Sequence, residues 1–133
     1  MTKLDEILPE ELKQDALPSG NELILSYLSA LAAIRIAAEN QIAVLGLELF
    51  EMRPDGIVTV SYTGYDKEIK RGEGDWGAYA KAMNLEAEKW LHSNKLEGNH
   101  GYILMSATEI ELAAANKLFE KRSLISRFFG LFH

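Results

Sequence analysis

Apolar and polar residues recur along this chain with two periods, and the changes of period mark out its elements. The clearest stretch is 42–65, IAVLGLELFEMRPDGIVTVSYTGY. Its first residues, Ile42-Ala43-Val44-Leu45, are apolar throughout, as in a strand covered on both faces. Up to Met52 the run then alternates, with Leu47, Leu49 and Glu51 on one side and Glu48, Phe50 and Met52 on the other. Gly46 interrupts the run and predicts a bulge or a close backbone approach. Arg53-Pro54-Asp55-Gly56 predicts a tight turn, because proline presets φ and glycine accepts a positive φ. Ile57–Tyr65 alternates again, so 42–65 reads as an antiparallel hairpin.

Helical periods flank this hairpin. Residues 1–20 read as a separate acidic N-terminal segment. Leu4, Ile7, Leu8, Leu12 and Leu17 line one side of a short helix there, and Pro9 starts a new turn because it has no N–H to donate. Pro18-Ser19-Gly20 breaks the segment. Asn21 is then an N-cap for a helix reaching about Asn40, with a stripe of Ile24, Tyr27 or Leu28, Leu31, Ile34 and Ala38. Ala30, Ala32, Ala33, Ala37 and Ala38 allow close packing. The lack of charge between Glu22 and Arg35 predicts burial on more than one side.

After a charged loop at 66–75, Asp75 is placed to cap a helix from Trp76 to about Ser93. Trp76, Tyr79, Ala80, Met83, Ala87, Trp90 and Leu91 form its inner side. His100–Ala107 reads as a third strand, expected at the centre of the sheet. Thr108 with Glu111 predicts a capping box for a last helix at roughly 108–121. The expected fold is α+β, a mainly antiparallel three-stranded sheet packed with helices in the order α-α-β-β-α-β-α. Residues 1–133 are taken as a single domain, which the length suits. An apolar aromatic tail occupies 122–133.

Composition narrows the classes. The chain has no cysteine, so neither disulfides nor thiolate chemistry is expected. A formal charge of −6 argues against non-specific nucleic-acid binding, which needs a basic footprint. It suits solubility first and a basic partner second. The longest low-charge stretch, Leu23–Ala38, is too short and polar to span a bilayer, and the acidic N-terminus is not a secretory signal. No membrane association is expected, and a cytoplasmic location is the default. In the tail, Phe128, Phe129 and Phe132 suit docking into a groove or self-association to a homo-oligomer.

No catalytic or metal-ligating set is predicted, and no cofactor. His92 has Glu88 one helical turn before it, but two ligands do not make a zinc site. His100 opens a strand, and His133 ends the chain. The eight serines lie outside any nucleophile elbow. Gly72-Glu73-Gly74 lacks the spacing and the lysine of a phosphate loop, and its acid would repel phosphate. Glu48 and Glu51 are expected on opposite faces of a strand. Glu109 and Glu111 do not share a helical face. The more telling group is aromatic and acidic: Tyr62, Tyr65, Asp66, Glu68, Glu73, Asp75 and Trp76. It ends a strand and borders the charged loop, and Tyr and Trp are enriched at binding hot spots. Trp76 also suits a core position beneath that loop.

The residues now in view carry a resemblance. An Ala- and Leu-rich helix leads into Ile42-Ala43-Val44-Leu45-Gly46-Leu47-Glu48-Leu49-Phe50. The second strand ends in Tyr62-Thr63-Gly64-Tyr65-Asp66. A tryptophan then stands near a helix start, Tyr79 lies within an Ala-rich helix, and a strand Tyr102-Ile103-Leu104-Met105 follows. Over about 25–107 this resembles a small α+β family of bacterial immunity proteins from polymorphic-toxin and contact-dependent inhibition systems. The resemblance implies a protein that binds and neutralises a cognate toxin domain in the cytoplasm of the producing cell. It carries over no catalytic residue. Two other classes stay open. One is a ligand-binding or enzymatic domain with a pocket between the sheet and the Trp76–Ser93 helix, using Tyr62, Tyr65, Asp66, Trp76 and His100. The other is a homo-oligomeric structural protein joined through the tail.

Overall fold

A computed structural model describes residues 2–64, 74–95 and 99–118. Strand β3 (Ala43–Arg53) lies between β4 (Gly56–Gly64) and β5 (His100–Ala107), and both neighbours run antiparallel to it. The architecture is therefore the expected α+β arrangement around a three-stranded antiparallel sheet. Arg53 pairs with Gly56 across a two-residue Pro54-Asp55 turn, and Gly56 takes φ +150°, which a residue with a β carbon rarely adopts.

The central strand is β3, where Ala43, Val44 and Leu47 are fully enclosed, as is Ile42 just before it. The expectation that His100–Ala107 is central is corrected: β5 is buried at the edge of the three-stranded sheet, because other segments cover it. Its outer backbone takes one bridge, with Leu25 N–H donating to the Tyr102 carbonyl at 2.7 Å and Tyr102 N–H to the Leu25 carbonyl at 2.8 Å. The predicted irregularity at Gly46 falls one residue earlier. Val44 pairs with Ser106 and Gly46 with Met105, so Leu45 is the extra residue in β3. A second irregularity leaves Val60 of β4 between the Ser61–Leu49 and Thr59–Phe50 pairs.

The N-terminal third departs most from expectation. Pro9 divides two short helices, α1 (Lys3–Ile7) and α2 (Glu10–Asp15). Leu4 and Leu8 enter the main core, so this segment is docked rather than set apart. Asn21 caps no helix. It follows Gly20 (φ +61°) in the turn of a hairpin between β1 (Leu17–Ser19) and β2 (Glu22–Ile24), and Leu17 begins a strand instead of closing a helical stripe. The physical reason is three consecutive buried residues, Leu23, Ile24 and Leu25: an extended backbone sends Leu23 and Leu25 into the main core and Ile24 into a second cluster with Phe50 and Ile103. Gly101 permits the approach, because a β carbon there would strike Ile24.

Helix α3 (Tyr27–Glu39) begins after Ser26, whose Oγ accepts from Ser29 N–H at 3.2 Å. Its buried face is Ser29, Ala30, Ala33, Ile34 and Ala37; of the expected stripe Ile34 is buried and Tyr27 and Leu31 are half-buried against the core, whereas Leu28, 74% exposed, and Ala38 face outward. The small alanines on this face suit close approach of α3 to its neighbours. Helix α4 (Trp76–Ser93) buries Trp76, Ala80, Met83, Ala87 and Leu91 as predicted, with Asn84 added. Residues 109–118 form a further helix, α5. Its capping box is present: Thr108 N–H donates to Glu111 Oε1 at 3.0 Å, and Glu111 N–H to Thr108 Oγ1 at 3.1 Å.

Asn84 mends the sheet. Pairing of β3 with β4 starts only at Gly46, so Ile42 and Val44 have no β4 partner among the described residues. Asn84 Oδ1 accepts from Val44 N–H at 2.7 Å, and Asn84 Nδ2 donates to the Ile42 carbonyl at 2.8 Å. A buried side-chain amide thus supplies the donor and acceptor that a strand would have offered. On one sheet face Leu47, Leu49, Tyr102 and Leu104 meet α3 and α4, while Phe50 and Ile103 form a small cluster with Ile24 on the other. No described helix is long and apolar enough to cross a membrane.

Candidate partner-binding site

Three chain segments meet at one end of the sheet. The first is the α3–β3 turn. Asn40 ends α3, and its Nδ2 donates to the Ile36 carbonyl at 2.8 Å. Gln41 then takes φ +55°, and Ile42 N–H reaches back to the Ala37 carbonyl at 2.9 Å. That is a Schellman ending with glutamine where glycine is usual. The second segment is the start of α4, and the third is the start of α5. Asn40, Gln41, Gly74, Asp75, Trp76, Thr108, Glu109 and Ile110 line an open cleft of ≈ 610 Å³ between them.

Trp76 is the floor of this cleft. Its indole Nε1–H donates to the Gln41 carbonyl at 2.7 Å, and its ring lies 5.2 Å from that of Tyr79. It packs with Ala43, Ala80 and Met83, and Leu112 of α5 leans on the same cluster. Trp76 therefore latches α4 to the α3–β3 turn. Asp75 holds the N-cap position of α4, but its side chain makes no cap bond, contrary to expectation; its carbonyl accepts from Tyr79 N–H at 3.1 Å. The carboxylate is left at the exposed rim, as is that of Glu109 on α5. Ile110 beside it is 82% exposed.

Of the predicted partner-binding residues, the structure brings Asp75 and Trp76 together. Tyr62 pairs with Glu48 in the β3–β4 ladder, and its side chain lies outside the described residues. Tyr65, Asp66, Glu68 and Glu73 also lie outside them, as do Phe128, Phe129 and Phe132 of the tail. Sequence reasoning missed Asn40, Gln41, Glu109 and Ile110. Ile110 carried a readable signal, since Ile110 and Leu112 cannot both face inward from the first turn of one helix.

Trp76 and His100 do not share a pocket. His100 pairs with Glu51, whereas Trp76 bonds Gln41, about 30 Å away at ~3.3 Å of strand per residue. Between them the α4–sheet interface is filled by Ala80, Met83, Asn84 and Ala87. Glu51 accepts from Arg53 Nη2 at 3.0 Å, and this bond holds its carboxyl below the ordinary glutamate range. On the outside of the helices, Tyr27 Oη and His92 Nδ1 are 2.9 Å apart. Glu88 joins His92 Nε2 at 3.9 Å to Arg35 at 2.9 Å, as its spacing from His92 predicted. The Lys95 ammonium lies 4.6 Å from the centre of the Tyr27 ring. These contacts clasp α3 to α4.

Among the described residues no three His, Asp or Glu side chains converge as a metal site requires. The Trp76 cleft offers two rim carboxylates, two side-chain amides and an apolar tip. Such an arrangement suits recognition of a basic surface with a small apolar depression. No protein-family model, no curated protein and no solved structure matches the chain.

Proposed function

We propose that this domain is a protein-binding module of the immunity type. In this reading it binds a cognate toxin domain of a polymorphic-toxin or contact-dependent inhibition system in the bacterial cytoplasm, and blocks it by covering an essential surface. The supporting observation is the cleft in which Asp75 and Glu109 flank exposed Ile110 above the fixed indole of Trp76. Rim acids accelerate encounter with a basic partner, and an apolar centre that excludes water slows dissociation. The net charge of −6, to which exposed Glu6, Glu10, Glu11 and Asp15 contribute, supports the same steering.

Calorimetry against the protein encoded immediately upstream tests this reading, with an expected Kd below about 1 μM. Asp75→Lys with Glu109→Lys should lower the association rate and remove most of its salt dependence, whereas Ile110→Asp should act mainly on dissociation. Absence of a sub-micromolar complex, or a complex indifferent to all three changes, would count against it.

A further inference from the structure

One edge of the three-stranded sheet is open. Strand β5 is engaged on its outer side by Leu25, but among the described residues no strand pairs with the outer side of β4. The register shows which β4 residues turn their backbone groups outward. Tyr102 of β5 exchanges both its bonds with Leu25, so its neighbours Gly101 and Ile103 are the ones that bond β3, at Phe50 and Glu48. Met52, whose N–H donates to the Asn99 carbonyl, continues that alternation. Leu47, Leu49, Glu51 and Arg53 therefore face β4, where they meet Thr63, Ser61, Val58 and Gly56. Ile57, Thr59, Tyr62 and Gly64 are left with N–H and C=O groups directed away from β3. Val60, the extra residue of β4, falls between Thr59 and Tyr62 and widens the spacing there from two residues to three.

This edge lacks most devices that keep sheet edges apart. Gly56–Gly64, GIVTVSYTG, holds no charged residue and no proline, and Ile57 is exposed. The bulge is its irregularity, and the bulge selects the occupant. A regular strand offers bonds at every second residue, so it can match Ile57 with Thr59, or Tyr62 with Gly64, but not both sets across the wider gap. A second copy of β4 carries the same gap. Run antiparallel about a two-fold axis between Val60 and Ser61, it sets Ile57 opposite Gly64 and Thr59 opposite Tyr62 on both sides of the axis. We infer that the chain self-associates through this edge, joining two three-stranded sheets into one. Charge favours the same place. Each copy carries −6, so copies repel one another, and an uncharged strand is where they meet at least cost. The inference rests on the β3–β4 register, so it stands or falls separately from the toxin reading.

Sedimentation velocity of the full chain from roughly 10 μM to roughly 1 mM tests this. One strand pair is smaller than a standard interface, so a dimer with a Kd on the order of 100 μM is expected. Added salt should tighten it by screening the repulsion between copies, opposite to its effect on a partner drawn in by charge. Amide hydrogen exchange at the two ends of the range locates the contact: Ile57, Thr59, Tyr62 and Gly64 should slow as the dimer forms. In a mixture of labelled and unlabelled chains, NMR contacts between Thr59 of one copy and Tyr62 of the other fix the register. Thr59→Pro removes an outward N–H without breaking a bond to β3, and should weaken the dimer at least about tenfold. A chain that stays monomeric at the highest concentration overturns the inference. So does a dimer whose added protection spares these amides, which assigns self-association to another surface such as Phe128, Phe129 and Phe132. Protection of β4 without the Thr59–Tyr62 contacts overturns it too. Exchange and NMR use the unaltered chain and decide the point even if Thr59→Pro does not fold.

Discussion

Replacing Asn84 by leucine removes the side chain that bonds Ile42 and Val44, which have no β4 partner among the described residues. The shapes are similar, so the loss is of hydrogen bonds rather than volume. Val44 N–H and the Ile42 carbonyl would then stand unpaired, and these residues are 0% and 1% exposed, so water cannot replace the amide. Each stranded buried group costs about 1–3 kcal/mol, and the added apolar burial of leucine returns part of the sum. The expected net loss is about 2–4 kcal/mol. In urea, where m is roughly 1–3 kcal/mol/M for small proteins, the midpoint should fall by about 1–2 M with m unchanged. Native-state exchange of the Val44 amide should lose more protection than its neighbours. Asn84→Asp adds a directional check. The introduced carboxyl is buried, so its folded pKa is raised above the unfolded value of ~3.9, and only its neutral form donates to the Ile42 carbonyl. Stability should therefore be greatest below that unfolded value and fall as pH rises through the folded pKa. A loss under about 1 kcal/mol for Asn84→Leu, or pH-independent stability for Asn84→Asp, would show that the edge of β3 is satisfied in another way.

Three further outcomes are expected. Trp76→Phe keeps an aromatic floor but removes the bond to the Gln41 carbonyl, and should cost about 1–3 kcal/mol by urea unfolding; a change within about 0.5 kcal/mol would remove its latch role. Thr108→Ala breaks the capping box of α5 and should cost about 1 kcal/mol, while Thr108→Ser should restore most of it. Burial, and secondarily Tyr27, push the Tyr102 hydroxyl above its ordinary range. Its neutral form thus supports folding fully below the unfolded value of ~10, and that support is lost as pH rises through the folded pKa. Alkaline denaturation followed by circular dichroism should show a component that Tyr102→Phe abolishes; an unchanged profile refutes it.

How legible these features were depended on whether a residue's partner was near in sequence. The β3–β4 hairpin, the Thr108–Glu111 box and the inner face of α4 are local patterns, and each could be read from spacing alone. Asn21 misled because the Asn-x-x signal of an N-cap is also the signal of a turn. What decided between them was the burial of Leu23, Ile24 and Leu25 against β5, a contact some 75 residues away in the chain. On α3 the alanines were legible as close-packing residues, but Leu28 was offered to the inner stripe for a related reason. Hydropathy ranks leucine above alanine, but close packing against α4 prefers the smaller side chain. Asn84 was illegible because a polar residue on an inner helical face has no meaning until the unpaired strand beside it is known.

The same logic explains why the candidate cleft lies at an end of β3. Along its middle, from Gly46 to Glu51, the strand is paired on both sides and its backbone has nothing left to offer. At the Ile42–Val44 end side chains take over the role of a strand. Asn84 meets Ile42 and Val44, and the Trp76 indole meets Gln41. Each substitution consumes part of a side chain's capacity and holds nearby groups in fixed positions. Trp76, held in this way, forms the floor of the cleft whose rim carries the exposed Asp75 carboxylate. Groups ordered in advance lose little freedom when a partner arrives, which is the condition for specific recognition. A sheet of three strands with one short of full pairing leaves such groups at that end, and there binding can be added without rebuilding the core.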